Sequence, residues 1–114
     1  MSNDRVTAYL FPHERLEVYR LAVEAARDLR RVAWPPGHAH LKDNALRAVE
    51  STVLNIAEGV GRGPGKARVN HHRIASGSAA EAAAVLDCLD LDAGPAIKQK
   101  LRRVGAMLNQ MTRR

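Results

Sequence analysis

Three clusters of glycine and proline, Trp34-Pro-Pro-Gly37, Gly59-Val-Gly-Arg-Gly-Pro-Gly65 and Ala93-Gly-Pro95, punctuate this chain of 114 residues. Each can stop a helix, because proline lacks the amide hydrogen of the ladder and glycine readily takes the backbone conformation that ends one. They leave four segments, each long enough for several helical turns, joined by connections short enough to favour antiparallel neighbours. A chain of this length has room for one domain and one core. Residues 1–114 are therefore expected to form a single all-α domain, an antiparallel up-down four-helix bundle, whose first ~10 residues are a flexible arm.

The apolar periodicity within the segments agrees with that division. The first helix is expected from near Pro12 to about Val32, with Tyr19, Ala22, Ala26 and Leu29 on one face and Phe11 covering the bundle end. The second runs from about His40 to Gly59, where Leu41, Ala45, Val49, Thr52 and Ile56 recur at three and four. The third, from about Lys66 to Asp90, carries Val69, His72, Ala79, Ala83 and Leu86, a stripe of low volume that implies close helix approach. In the fourth, Ile97, Leu101, Val104, Leu108 and Met111 give a coiled-coil-like seam. Aromatic residues make up only 4% of the chain, which favours helices packed through small side chains over a sandwich filled with bulky ones.

The formal net charge is +6, and its placement matters more than its size. Residues 1–33 hold six basic and five acidic groups and nearly cancel. From Gly59 to Ala80 stand Arg62, Lys66, Arg68 and Arg73 with no carboxylate, and after Asp92 stand Lys98, Lys100, Arg102, Arg103, Arg113 and Arg114, again with none. Cations clustered in this way suit a polyanion or an acidic partner.

Polar residues also recur at helical spacing. Arg47, Ser51, Asn55, Glu58 and Arg62 share a face of the second helix, and Asn70, Arg73, Gly77 and Glu81 share one of the third. Two readings stand: solvated faces, the usual fate of helical polar residues, or a partly buried network in which Glu58 and Glu81 pair with Arg62 and Arg73. A glycine inside a helix costs roughly 1 kcal/mol relative to alanine, so Gly77 is expected to mark a tight helix contact.

The string Asn55-Ile-Ala-Glu-Gly-Val-Gly-Arg62, followed by Ile74-Ala-Ser-Gly-Ser-Ala-Ala-Glu81, resembles the signature of the bacterial four-helix-bundle family of proteins encoded in intervening sequences of 23S ribosomal RNA genes. The opening Phe11, Leu16, Glu17, Val18 and Tyr19 is similar to that family's first helix. The resemblance implies an up-down bundle assembling as a homopentamer. It also implies kinship with the accessory variability proteins of diversity-generating retroelements, basic pentamers that bind a reverse transcriptase and nucleic acid. Asn55, Glu58, Gly59, Arg62, Gly77, Ser78 and Glu81 would then be determinants of fold and assembly, with no reaction attributed to them; Arg73 joins them as the expected partner of Glu81. The chain departs from the family at Val53, where proline is common, at Asn70, His71 and His72, where arginine and aromatic residues are typical, and at Glu50, usually apolar.

Several chemistries are excluded by spacing. The Gly-rich turn fails the phosphate-loop pattern because Val60 and Ala67 stand where glycine and serine or threonine are needed, and it fails the dinucleotide pattern at Pro64. His71 and His72 point about 100° apart on a helix, and no acid or cysteine lies at ligand spacing, so no metal or cofactor is expected. One of the two should face the core and the other solvent. Cys88 is expected to be a buried, inert thiol. Asp87, Asp90 and Asp92 fit either a solvated helix end or one side of a head-to-tail contact between copies. The N-terminus lacks a signal peptide's organisation and no apolar run approaches the ~20 residues that span a bilayer, so a cytoplasmic protein without membrane contact is expected.

The expected function is a non-catalytic, homo-oligomeric helical scaffold, pentameric by resemblance, whose basic surfaces bind RNA or DNA or a nucleic-acid-processing protein such as a reverse transcriptase. Lys98, Lys100, Arg102, Arg103, Arg113 and Arg114, assisted by Lys66 and Arg68, are the candidate phosphate contacts. The alternative is a protein–protein assembly module that binds no nucleic acid, favoured by the lack of aromatic stacking residues in the basic segments.

Overall fold

A computed structural model of the chain describes residues 10–113. A short 3-10 turn, Pro12–Arg15, precedes four α-helices: α1 Glu17–Arg31, α2 Ala39–Gly61, α3 Lys66–Asp87 and α4 Gly94–Met111. Each helix packs against the two beside it, α1 and α3 both resting on α2 and α4. Cross-helix pairs set the directions. Ser51 meets Ser78 and Asn55 meets His71 between α2 and α3; Glu17 meets Arg103 and Asp28 meets Lys100 between α1 and α4; so both pairs run antiparallel. The expected all-α antiparallel bundle is the observed one. The expected N-terminal arm lies, apart from Leu10, outside the described residues.

The chain reaches α1 by a break that periodicity did not foresee. Pro12 opens the 3-10 turn, in which the Glu14 carboxylate accepts the Phe11 amide at 2.8 Å, and Leu16 then turns extended at ψ 132° before the α-helix begins. The turn is satisfied by its own hydrogen bonds, so it does not merge with α1. Phe11 does not cover the bundle end: it is 67% exposed and stacks on His13, 5.7 Å between ring centroids. Trp34 closes the other end of α1, its indole N–H donating to the Leu29 carbonyl at 3.0 Å while its ring packs on the core. Between α2 and α3, Gly63 at φ 76° and Gly65 at φ 134° take the left-handed conformations that Pro64 between them cannot.

The core is a column of Val18, Leu21, Ala22, Ala25 and Leu29 from α1, Ala48, Val49 and Ile56 from α2, Ala75, Ala79, Ala82 and Leu86 from α3, and Ile97, Leu101, Val104 and Leu108 from α4. Thr52, also fully buried, satisfies its hydroxyl on the Ala48 carbonyl at 3.0 Å. The α4 seam ends one step earlier than its spacing suggests, since Met111 is 37% exposed. The third helix stops at Asp87, and Cys88 just beyond it is exposed.

Close packing occurs at a different glycine from the one expected. A Cβ on Gly77 would meet nothing within 4 Å, and the residue is exposed. A Cβ on Gly59 would lie 2.9 Å from the His72 ring and 3.1 Å from the His71 Cβ. Gly59 is therefore the point at which α3 is admitted against α2. Its signal in sequence was masked by the Gly-rich turn that follows.

Truncating the α4 seam tests this core. Leu101→Ala should cost about 2–5 kcal/mol, as for other buried leucines, and Met111→Ala less than about 1 kcal/mol, both read from urea unfolding of the purified protein.

Candidate functional site

Two features of the α2–α3 side bring polar residues together. The first is a half-buried seam. The Asn55 side-chain amide donates to the Ser51 carbonyl at 2.9 Å and to the Ser51 hydroxyl at 3.2 Å. This leaves the Asn55 Oδ1 as acceptor for His71 Nδ1 at 2.9 Å, and makes Nδ1 the protonated nitrogen of that ring. The Ser51 hydroxyl completes the chain to Ser78 at 2.9 Å. A network joining the two helices thus exists, but its members are Ser51, Asn55, His71 and Ser78.

The expected arginine–glutamate members lie outside it. Glu58 pairs with Arg62 at 3.0 Å on the exposed surface of α2, a pair of the kind worth under about 1 kcal/mol. Glu81 and Arg73 are exposed, and among the described residues they form no ion pair with each other. Both readings of the polar faces hold in part: Ser51 and Asn55 enter the seam, while Arg47, Glu58, Arg62, Asn70, Arg73 and Glu81 are exposed.

The second feature is an open groove of about 940 Å³ where the first turns of α3 face the last turn of α4. Lys66, Val69, Asn70 and Arg73 line it at spacings of three, one and three, with Gln110 and Met111 opposite, and among the described residues no carboxylate is in its wall. Arg68 stands at its edge and does a second task. Its Nε donates to the Gly59 carbonyl at 3.3 Å and its Nη2 to the Val60 carbonyl at 3.0 Å, so a cation sits on the C-terminal carbonyls of α2, where the helix dipole favours it.

His72 lies on the inner side of the same groove, 1% exposed. Burial, followed by the charges of Arg68 and His71, holds its pKa below the ordinary 6.5, so the ring is neutral at physiological pH. Of the two histidines, His72 is the core residue and His71 the seam residue. Among the described residues no group of histidine, cysteine, aspartate or glutamate could hold a metal ion.

The other expected phosphate contacts are dispersed. Lys98 pairs with Asp87 across the α3–α4 junction. Lys100 bridges Asp28 at 2.6 Å and Glu24 at 3.4 Å, and the hydrogen bond that it donates to Asp28 raises its pKa above the usual lysine value. Arg103 reaches Glu17 at 3.0 Å. These cations tie α4 to α3 and α1. Asp87, from the acidic patch, is engaged in the same way. Arg102 is exposed and, among the described residues, makes only a 3.4 Å contact to Gln99; Arg113 is exposed, and Arg114 lies outside the described residues. The structure adds Arg73 and His72 to the groove. The i, i+4, i+7 spacing of Lys66, Asn70 and Arg73 was the signal that would have placed the groove on one face.

The buried neutral ring gives a pH dependence of known sign. The unfolded chain binds a proton at His72 more readily than the folded one, so stability should decline as pH falls through 6.5 and level off below the folded pKa. Urea unfolding at several pH values between about 7.5 and 5.5 should show this decline in the wild type and a shallower one in His72→Phe.

Among the described residues no helix is long and apolar enough to cross a membrane. No curated protein matches the chain. The sequence model of the 23S rRNA-intervening sequence protein family matches residues 14–110, from the 3-10 turn to the last turn of α4, and the chain therefore belongs to that family.

Proposed function

We propose that the protein is a cytoplasmic, non-catalytic scaffold that assembles as a homopentamer and presents basic surfaces to RNA or DNA, or to a nucleic-acid-processing protein such as a reverse transcriptase. The observation that carries the nucleic-acid part is the α3–α4 groove, which Lys66, Arg68 and Arg73 line with no carboxylate among the described residues of its wall. Arg102 and Arg113 extend the exposed positive surface along α4. Contacts of this kind neutralise phosphates without reading bases, so binding falls steeply with salt.

Assembly is supported by apolar and small residues that none of the described residues covers. Leu54 on α2 is 66% exposed and borders a cleft of about 320 Å³ formed with Val23, Ala26 and Val53. Ile74 on α3 is 43% exposed, one turn before Gly77. A ring needs two different patches that fit each other, and these two helix faces are the pair we assign to it. Gly77, with open space around it, then earns its helix cost by admitting a neighbouring copy.

A second reading, an assembly module that binds no nucleic acid, is favoured by one observation: Lys98, Lys100 and Arg103 already pair with carboxylates of their own chain.

Light scattering at low and high salt, with and without a heteropolymeric RNA, separates the readings. The scaffold reading expects a salt-stable pentamer that gains RNA mass only at low salt, and expects Gly77→Leu to yield smaller particles of unchanged helix content. A pentamer that never gains RNA mass selects the assembly module, and a monomer overturns both.

A further inference from the structure

The outward faces of α2 and α3 carry two ridges of matching length and complementary chemistry. On α2, Arg47, Leu54 and Gly61 recur every seven residues, so they stand nearly in line along the helix, and all three are exposed. On α3, Ala67, Ile74 and Glu81 do the same. Leu54 and Ile74 are among the few large hydrophobic side chains left exposed, with Phe11 and Met111.

The seam between the two helices fixes how the ridges compare. Ser51 stands level with Ser78 and Asn55 with His71 on antiparallel helices. Counting along both helices from these bonds brings Arg47 level with Glu81, Leu54 with Ile74 and Gly61 with Ala67. At each level one ridge complements the other: a cation against an anion, leucine against isoleucine, and two residues with little or no side chain. The chain does not satisfy these ridges on itself. Arg47 and Glu81 are in no ion pair among the described residues, and Leu54 and Ile74 stay uncovered. The carboxylates beside the α2 ridge are already neutralised, Glu50 by Arg30 and Glu58 by Arg62. Between Ile74 and Glu81, Gly77 has open space where a side chain would stand, so a second helix can approach closely there.

We propose that copies of this chain associate by laying the α2 ridge of one copy on the α3 ridge of the next, antiparallel and in register. Arg47 then meets Glu81 of the next copy, and Leu54 meets its Ile74. The proposal rests on the self-assembly reading above and deepens it, giving the contact a register and the assembly a direction. Because α2 and α3 are antiparallel within each chain, an antiparallel contact between chains leaves every copy pointing the same way. The copies are then related by rotation about an axis roughly parallel to the helices. Lys66, Arg68 and Arg73 of every copy, which line the groove beside the α2–α3 turn, are thereby gathered on one rim of the assembly.

Charge reversal in the full-length protein tests the register. Sedimentation at low salt over a range of protein concentrations should show Arg47→Glu and Glu81→Arg each weakening association roughly tenfold or more, because each sets like charges face to face. The double variant Arg47→Glu/Glu81→Arg should recover most of that loss. Both positions are exposed, so far-ultraviolet circular dichroism should show unchanged helix content in all three variants. Single variants that associate like the wild type, or a double variant that loses as much as the two singles combined, overturn the register and leave self-assembly standing. A parallel contact centred on Leu54 and Ile74 would give that result, since it sets Arg47 against Ala67. A wild type that is monomeric at every concentration overturns the register together with the self-assembly reading.

Discussion

The contact between Gly59 and His72 sets the spacing of the two longest helices, and the features on that side of the molecule follow from it. With no side chain at position 59, the His72 ring lies against the α2 backbone, and the small residues Ala48, Ala75, Ala79 and Ala82 continue the close packing along the pair. Helices this near one another bring Asn55 within reach of His71 and Ser51 within reach of Ser78, and they bring Arg68 onto the last carbonyls of α2. A wider spacing would break these bonds before it disturbed the leucine-rich α4 seam. The polar seam therefore specifies register between helices whose alanine-rich faces would otherwise slide.

Charge is divided between two tasks. Along α4, Lys98, Lys100 and Arg103 are committed within the chain, each reaching a carboxylate on α1 or α3. These pairs are at least partly exposed and contribute little to stability individually, but they take those three cations out of the free positive surface of α4 and leave it to Arg102. At the α2–α3 turn the balance is reversed, because no acidic residue occurs between Gly59 and Ala80. Net charge by itself could not separate these cases. What separates them is which neighbours the fold supplies, and that depends on pairing across up to 86 positions of sequence, as between Glu17 and Arg103.

Much of the fold was legible because helix breakers and apolar spacing act locally. The three glycine–proline clusters stand at the three interhelical connections, and Ile97, Leu101, Val104 and Leu108 are buried as their period requires. Failures came where a non-local partner decided the outcome. Phe11 was assigned to the bundle end on hydrophobicity, yet the 3-10 turn carries it outward; Cys88 falls one residue past the end of α3 and is exposed. Gly77 was legible as a glycine that a helix tolerates at a cost, but whether its neighbour lies in the same chain is not a local property. Of the candidate site, Lys66 and Arg68 were legible as cations in an acid-free stretch. His72 was legible as a core residue, but its unsatisfied nitrogens belong to the three-dimensional environment alone.

The central claim is that Gly59 is retained for the space that the His72 ring occupies, and a double-mutant cycle measures it directly. Gly59→Ala, His72→Ala and the double variant would be unfolded in urea at neutral pH and their free energies compared. The account predicts that Gly59→Ala destabilises the wild type by about 1–3 kcal/mol through overpacking, and that in the His72→Ala background the same change costs far less, or stabilises α2 by up to about 1 kcal/mol as alanine normally does over glycine. An equal cost of Gly59→Ala in both backgrounds would contradict it.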